Sequence, residues 1–457
     1  MSLRAELTAL VGANHMLTGE QPAYTEDWRG RYHGRALAVV RPGSTAEVAA
    51  VVRACAAHGA AIVPQGGNTG LVGGGVPDAS GSQVLLSLTR LTAVRAIDAA
   101  NLTVTVEAGC TLAALHDAVA AQGLLYPLRL ASEGSCTIGG NLATNAGGTQ
   151  VLRWGNAREL CLGLEAVTAQ GEIWDGLSGL RKDNSGYALR DLLIGSEGTL
   201  AILTAATLKL FPMPTARATV LAACASLADA VALLQTARAG LDAALTGFEL
   251  MSGHALALVA RHQPDLRQPL RAPWLALLQA DGPAEAPLLD ALAGVLADRD
   301  AVVAANLQQA QQLWALREAI PLAQSREGLN IKHDIALPIS AIPAFVAEAD
   351  AAVLQAAPGA RLVTFGHLGD GNLHYNVQAP EGIDAAAFLA AHEAPINQLV
   401  YDTVQRHGGS FSAEHGIGAL KVAELAARKP PAALAMMRAI KTALDPHGTL
   451  NPGRLLS

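Results

Sequence analysis

The sequence predicts an α+β protein of roughly two or three domains. The chain has 457 residues, of which 51% are apolar and 16% are charged. This composition provides enough apolar side chains for large buried cores and argues against disorder. Residues 212–214, Pro-Met-Pro, form the clearest break between structural elements. We expect three segments along the chain, 1–212, 213–409 and 410–457.

The first half alternates between helix and strand patterns. Residues 44–47, Ser-Thr-Ala-Glu, match a capping box, and apolar residues at helical spacing follow as far as Gly59. Residues 102–107 alternate between apolar and polar side chains, which indicates a half-buried strand. Residues 200–211 are predicted to be rich in strands. The stretch 215–360 is rich in Ala and Leu, and we expect it to be mostly helical with short strands.

The composition excludes several classes of partner. The net charge is −7, no basic stripe is present and only 4% of residues are aromatic, so nucleic acid is not expected as a ligand. The N-terminal residues lack a secretory signal pattern, and no run of about 18 uncharged apolar residues predicts a spanning helix. The five cysteines are scattered, without C-x-x-C spacing. We therefore expect reduced thiols and a cytoplasmic location.

Three glycine-rich segments are candidates for an anion site. The densest is 64–75, and the others are 134–148 and 195–200. Glycine allows consecutive backbone N–H groups to approach one anion, such as a pyrophosphate. No G-x-G-x-x-G and no G-K-[ST] occurs, so neither a Rossmann fingerprint nor a Walker A loop is supported. Each segment taken alone is more typical of an ordinary turn.

Taken together, the three segments resemble the FAD loops of the vanillyl-alcohol-oxidase (PCMH-type) family, joined to the C-terminal domain of FAD-linked oxidases. The resemblance covers nearly the whole chain and is strongest to the D-2-hydroxyglutarate and D-lactate dehydrogenase branch. It implies a PCMH-type FAD-binding domain of two α/β subdomains. It also implies an α+β substrate domain with an antiparallel sheet, and a C-terminal segment that returns to the flavin.

The resemblance assigns FAD contacts to residues in all three glycine-rich segments and near the C-terminus. Those residues are Pro64, Gln65, Gly66, Gly67, Asn68, Thr69, Gly70, Leu71, Gly134, Ser135, Ile138, Gly139, Gly140, Asn141, Asn145, Gly147, Gly148, Glu197, Gly198, Ile202 and Asn451. Relatives with covalent flavin often carry His where Asn68 stands. Because an asparagine side chain cannot form that bond, we expect non-covalent FAD.

Residues 366–376 predict a metal-binding hairpin. Asp370-Gly371 is a preferred pair for a two-residue turn, which would place His367 and His374 directly opposite each other, about 5 Å apart. Without the family, such histidines would more often be cross-strand polar partners. The resemblance makes them metal ligands and adds Glu414, giving a site with open positions. Zinc is the first choice, and manganese, iron and cobalt also fit these ligand types.

His415 is the expected general base, because an imidazole titrates near neutral pH. By the resemblance, Arg317 binds the substrate carboxylate; the alternative from sequence alone is a solvated helix arginine beside Glu318. Lys332 is expected to hold a second carboxylate, and Asn376 and His415 are expected to contact the substrate.

One position departs from the family pattern. Relatives tend to offer a hydroxyl near Pro321, and proline has no donor. This departure weakens the expected fit to a five-carbon diacid. The best expectation is oxidation of D-2-hydroxyglutarate to the 2-oxo acid, with D-malate and D-lactate open.

Other functions stay open at this point. The same fold hosts a non-redox flavoenzyme of ether-lipid synthesis and subunits of glycolate oxidase complexes, and a metallohydrolase would leave the FAD loops unexplained. As electron acceptor we expect electron-transfer flavoprotein, a cytochrome or a quinone. A homodimer is the default oligomer.

Overall fold

The computed structural model describes residues 1–297 and 299–456. The chain divides into two compact units, each discontinuous in sequence. Unit 1 comprises Met1–Gly147, Gly155–Met213 and Glu414–Ser457, and unit 2 comprises Gly148–Trp154 and Pro214–Ala413.

Helices occur throughout both units. They are α1 Leu3–Val11, α2 Pro22–Thr25, α3 Thr45–Ala57, α4 Leu112–Ala120, α5 Ile138–Ala143, α6 Val151–Trp154, α7 Ala157–Leu160, α8 Leu189–Leu193, α9 Leu227–Leu241, α10 Gly253–His262, α11 Glu285–Leu296, α12 Leu307–Glu318, α13 Ile320–Glu327, α14 Ile342–Ala356, α15 Ala385–Arg406, α16 Val422–Arg428 and α17 Pro431–Leu444.

Strands also occur in both units, which confirms the α+β class. They are β1 Met16–Leu17, β2 Ala36–Val40, β3 Ile62–Gln65, β4 Gln83–Ser87, β5 Val94–Asp98, β6 Thr103–Glu107, β7 Leu124–Leu125, β8 Cys161–Val167, β9 Ile173–Gly176, β10 Ile202–Lys209, β11 Phe211–Pro212, β12 Ala216–Cys224, β13 Leu245–Ser252, β14 Trp274–Gly282, β15 Ala301–Val303, β16 Asn330–Ala336, β17 Arg361–His367 and β18 Asn372–Gln378.

Unit 1 contains a mixed sheet in the order β1-β2-β4-β3 and an antiparallel sheet in the order β5-β6-β10-β8-β9. Helix α3 begins as its sequence predicts, because the Ser44 hydroxyl accepts the N–H of Glu47 and the Glu47 carboxylate accepts the N–H of Gly43. Its apolar face, including Val48 and Val52, packs into the core of the mixed sheet. Strand β3, which is parallel to β4, leads directly into the glycine-rich loop.

The C-terminal segment of unit 1 is hydrogen-bonded to that loop. The Asp445 carboxylate accepts the Lys441 ammonium and the N–H groups of Thr449 and Leu450. The Asn451 amide then donates to the carbonyl oxygens of Gly74 and Glu197. These contacts hold the end of the chain against the segments that carry the predicted FAD residues.

Unit 2 is built on one antiparallel sheet in the order β15-β12-β14-β13-β17-β18-β16. Helices α9, α11, α14 and α15 cover one face, where Phe248, Tyr375 and Phe345 are buried. Helices α10, α12 and α13 cover the other face, packing on Met251 and Phe365. Helices form the larger share of 215–360, as the sequence predicted, but its strands are longer than the short strands expected. Strands buried on both faces lose the apolar–polar alternation that marks a half-buried strand.

The segment Ile339–Ala356 is long and apolar enough to cross a membrane by length and composition alone. Within it, Ile342, Phe345, Ala349 and Val353 are buried in the core of unit 2. These residues form the face of α14 that packs against the core of unit 2.

Candidate active site

A groove in unit 1 lies over the glycine-rich loop and encloses about 990 Å³ out to its mouth. Its walls are backbone-rich and bring together segments that are far apart in sequence. The lining residues are Asp27, Pro64, Gln65, Gly66, Gly67, Asn68, Thr69, Gly70, Val72, Gly73, Gly74, Gly75, Val76, Leu88, Cys136, Thr137, Gly139, Gly140, Asn141, Ala143, Thr144, Glu197, Gly198, Ala201, Ile202, Leu203 and His415.

The glycines allow the groove walls to approach closely. A Cβ on Gly67 would lie 1.9 Å from the carbonyl oxygen of Ser135, and a Cβ on Gly139 would lie 2.6 Å from the Cβ of Ala108. Because side chains are excluded there, backbone groups face the groove, which suits a pyrophosphate. The buried Gln65 amide holds the loop in shape by donating to the carbonyl oxygens of Tyr24 and Gly75.

Most of the predicted FAD residues line this groove. Those that do are Pro64, Gln65, Gly66, Gly67, Asn68, Thr69, Gly70, Gly139, Gly140, Asn141, Glu197, Gly198 and Ile202. Across residues 1–297 and 299–456, the predicted residues outside the lining are Leu71, Gly134, Ser135, Ile138, Asn145, Gly147, Gly148 and Asn451. Asn451 acts on the groove indirectly, because its amide donates to backbone carbonyls of the loops that form it.

The Asn68 side chain is held by the protein. Its amide donates to the carbonyl oxygens of Ala23 and Glu26, and its backbone has φ +52°. The side chain thereby holds the loop against α2, and non-covalent attachment of the flavin stays a prediction.

Some lining residues lie within the predicted glycine-rich segments but were not assigned individually, namely Val72, Gly73, Gly74, Gly75, Cys136, Thr137, Ala143 and Thr144. Sequence reasoning missed the lining residues outside those segments, which are Asp27, Val76, Leu88, Ala201 and Leu203. Thr137 could have been found, because its hydroxyl caps α5 by accepting the Gly140 N–H. Asp27 carries no such signal: it is buried, and its carboxylate accepts the N–H groups of Arg31 and Tyr32 in a local turn.

Glu197 holds the loop that follows His415. Its carboxylate accepts the N–H of Ile417 at 2.8 Å and the N–H of Gly418 at 2.6 Å. Burial raises the pKa of Glu197 above its ordinary value, although these two hydrogen bonds act in the opposite direction. A Cβ on Gly416 would lie 2.7 Å from the Glu197 carboxylate. The family resemblance implied only an FAD contact for Glu197, whereas these hydrogen bonds connect it to the loop that follows His415.

In unit 2, the predicted hairpin forms with a different register. His367 pairs with Asn372, and His374 pairs with Phe365, so the loop is 368–371 and the two-residue turn at Asp370-Gly371 was wrong. The loop N–H groups return to His367 and Leu368, which makes a wider turn than the two-residue type. His367 and His374 are therefore diagonal neighbours on one sheet face. Their ring centroids lie 5.5 Å apart, so the two imidazoles are close together although the predicted register was wrong.

Glu249 bridges two of the predicted site residues. This fully buried carboxylate, on β13, contacts His367 Nδ1 at 2.6 Å and Arg317 Nε at 2.7 Å. Burial alone would raise the pKa of Glu249, but the charges of His367 and Arg317 and their hydrogen bonds outweigh it and lower the pKa. A carboxylate only accepts, so Nδ1 of His367 carries the hydrogen, and Nε2 is the nitrogen with the lone pair that a metal requires.

Arg317 is buried, with 7% of its surface exposed, so the alternative of a solvated helix arginine was wrong. Its guanidinium lies 4.8 Å from the ring centroid of Phe365. The guanidinium pairs with Glu249 through its Nε atom. The terminal nitrogens make no hydrogen bond to the part of the chain that the structure describes, and a guanidinium edge of this kind suits a carboxylate.

Lys332 and Asn376 lie on the same sheet face as His374. Lys332 pairs with Asn376 across β16 and β18, and Asp334 pairs with His374, whose Nδ1 lies 3.8 Å from the Asp334 carboxylate. The Asn376 amide is buried; its nitrogen donates to Gln324 and its oxygen accepts the N–H of His333. These bonds fix the orientation of Asn376 before any substrate binds.

The chain passes the same end of the sheet immediately before Glu414. The N–H of Ala413 donates to the carbonyl oxygen of Asp334 at 3.2 Å, and Glu414 is the next residue. Two imidazoles on one sheet face, one of them held by a buried carboxylate, form the donor set expected around a divalent cation.

Comparison with known proteins identifies related families over most of the chain. A family model described as FAD linked oxidases, C-terminal domain, matches residues 213–455, and one described as FAD binding domain matches residues 36–176. A protein named D-2-hydroxyglutarate dehydrogenase from Xanthomonas citri pv. viticola is 42% identical over 94% of this chain and 92% of its own length. The mitochondrial protein of that name from Bos taurus is 38% identical over 94% of this chain and 78% of its length.

Solved structures share the fold at low identity. p-Cresol methylhydroxylase has a TM-score of 0.78 at 17% identity, covering 99% of this chain and 96% of its own. Alkyldihydroxyacetonephosphate synthase has a TM-score of 0.74 at 18% identity, covering 98% and 84%. These similarities confirm the predicted fold and carry no information on the reaction.

Proposed function

The chain belongs to the family of FAD-linked oxidases, and from this premise we propose that it is an FAD-dependent dehydrogenase that oxidises a D-2-hydroxy acid to the 2-oxo acid. The relatives named D-2-hydroxyglutarate dehydrogenase support this reaction and make D-2-hydroxyglutarate the preferred substrate. The geometric observation that carries the proposal is the buried Arg317 guanidinium beside His367, both held by Glu249.

His367 and His374, with Glu414, are the proposed ligands of a divalent cation, with zinc as the first choice and manganese, iron or cobalt as alternatives. When bound, FAD would supply the hydride acceptor and the cation would supply a Lewis acid. The glycine-lined groove of unit 1 supports the FAD assignment, and the imidazole pair supports the metal.

Four other side chains would bind the substrate, orient it or accept its proton. Arg317 would grip the carboxylate next to the reacting carbon with its terminal nitrogens. Lys332 would pair with a distal carboxylate, and Asn376 would offer a hydrogen bond from its fixed amide. His415, which lines the unit 1 groove, would accept the hydroxyl proton as general base.

The breadth of substrates depends on the distal carboxylate. Lys332 supports a diacid such as D-2-hydroxyglutarate or D-malate, whereas Pro321 provides no donor where relatives tend to offer a hydroxyl. D-lactate, which lacks that carboxylate, tests how much Lys332 contributes. We further propose a cytoplasmic enzyme, by default a homodimer, that passes its electrons to electron-transfer flavoprotein, a cytochrome or a quinone.

The decisive test is anaerobic reduction of the purified, FAD-loaded protein. D-2-Hydroxyglutarate should bleach the flavin absorbance near ~450 nm, a property of the flavin itself, and L-2-hydroxyglutarate should not. Treatment with a chelator should remove the response, and added zinc should restore it. A panel of D-malate, D-lactate and glycolate with a dye acceptor would rank the substrates. Bleaching by none of these acids would refute the dehydrogenase assignment.

A further inference from the structure

We propose that Glu249 is a positioning residue that sets both the metal-binding nitrogen of His367 and the substrate-binding edge of Arg317. This inference rests on the proposed function and extends it to a residue that neither the sequence motifs nor the metal-ligand pattern includes. Glu249 lies on β13, and its partners lie on β17 and α12.

The placement follows from the sheet. Strands β13 and β17 are antiparallel neighbours, with Leu250 opposite Gly366, so the residue before Leu250 lies beside His367 on the face that carries the histidines. Leu250 itself points to the opposite face, into the apolar core. Glu249 is 0% exposed and is therefore shielded from competing water.

The chemistry requires a carboxylate at this position. His367 Nδ1–H and Arg317 Nε–H are both donors, and they use the two oxygens of Glu249 separately, at 2.6 and 2.7 Å. A glutamine has one acceptor oxygen and one NH₂ donor, so it can satisfy only one of these partners. Facing His367 with its NH₂ group, it would force the hydrogen onto Nε2 and block that nitrogen as a ligand.

The charge of Glu249 matters as well as its shape. Arg317 is buried and rests on the Phe365 ring, so its positive charge needs a close counter-ion. Glu249 is the carboxylate that pairs with it, at 2.7 Å. Because one carboxylate serves both partners, a change at this position should alter metal affinity and substrate binding together.

The test compares full-length E249Q and E249D with the wild type after loading with FAD. The metal-stripped proteins are titrated with zinc against a chromophoric chelator, and KM and kcat are then measured for D-2-hydroxyglutarate. For E249Q we expect zinc affinity to fall by about 10- to 100-fold, KM to rise and the FAD content to stay unchanged. E249D retains the charge but is one methylene too short to reach both donors, so we expect smaller losses of the same two properties.

The matched control is E165Q, which removes another buried carboxylate. Glu165 lies in unit 1 and accepts hydrogen bonds from Arg95, Thr45 and Thr204, so it reports the general cost of losing such a group. E165Q should keep wild-type zinc affinity and KM. If E249Q does not fold, the zinc affinity and KM of E249D test the proposal.

Two results would overturn the proposal. The first is a folded Glu249 variant whose zinc affinity and KM equal those of the wild type. The second is an E165Q control whose zinc affinity falls as far as that of E249Q. The zinc titration needs no substrate, so it separates this inference from the dehydrogenase assignment. If the wild-type protein binds zinc but no D-2-hydroxy acid bleaches its flavin, only the dehydrogenase assignment is contradicted.

Discussion

The Glu197 carboxylate accepts the backbone N–H of Gly418 at 2.6 Å, across 221 residues of sequence, and it accepts the N–H of Ile417 as well. Because His415 lies two residues before Ile417 and lines the groove, these bonds hold the proposed base in place. Replacing Glu197 with Ala should lower stability by about 1–3 kcal/mol, through unpaired N–H groups, and should reduce turnover. Thermal unfolding and steady-state assays measure both. Unchanged turnover would show that the loop does not need this anchor.

Flavin binding should depend on Gly67. A Cβ at this position would overlap the carbonyl oxygen of Ser135, so Gly67→Ala should displace the loop and lower the FAD content of the purified protein severalfold. Gly186→Ala is the control, because this glycine of the same unit is outside the predicted FAD contacts and its added Cβ would meet nothing within 4 Å. The ratio of flavin to protein absorbance measures the effect. A Gly67→Ala protein with full flavin content would contradict the assignment of this loop.

Proton abstraction is assigned to His415. His415→Ala should lower turnover by about 10²- to 10⁴-fold while FAD stays bound, since an imidazole contributes proton transfer rather than cofactor affinity. His447→Ala, which removes an exposed imidazole from the same unit, should leave turnover unchanged. Steady-state kinetics and flavin absorbance distinguish the variants. Near-normal turnover of His415→Ala would exclude it as the base.

Metal retention should depend on His367. His367→Ala removes one of two neighbouring imidazoles, so the protein should lose its metal on dialysis and lose turnover with it. His392→Ala, on α15, provides an imidazole outside the proposed ligand set and should keep the metal. Elemental analysis gives the answer directly. Full metal content in His367→Ala would remove this residue from the ligand set.

The acid stability of unit 2 should depend on Glu327. Burial would raise its pKa, but hydrogen bonds from Arg361 and His262 and the charges of Arg361 and Arg261 prevail and hold the pKa at about 2. A carboxyl whose folded pKa is lowered stabilises the fold above its unfolded pKa, and this contribution is lost as the pH falls through the folded value. Glu327→Gln should therefore be less stable than the wild type at neutral pH, with the gap closing as the pH falls from about 4.5 to about 2. Urea unfolding across that range measures it, and a constant gap would contradict the pairing.

Local patterns in the sequence were sufficient for several elements and for most of the groove. The capping box predicted the start of α3, and the alternation at 102–107 predicted β6. The glycine-rich segments predicted many of the residues that line the groove of unit 1. The two histidines were also correctly expected on one sheet face, because side chains alternate with a period of two.

Register and buried partners required the tertiary structure. The hairpin loop is wider than the Asp370-Gly371 pair indicates, because packing of the whole sheet decides which residues oppose each other. Glu249 lies 118 residues from His367 and 68 from Arg317, within a strand that is buried along its whole length. Capping and periodicity act between near neighbours and are visible in the sequence. The partner of a buried charge is determined by the tertiary structure, because only in the folded protein are the two groups removed from water together.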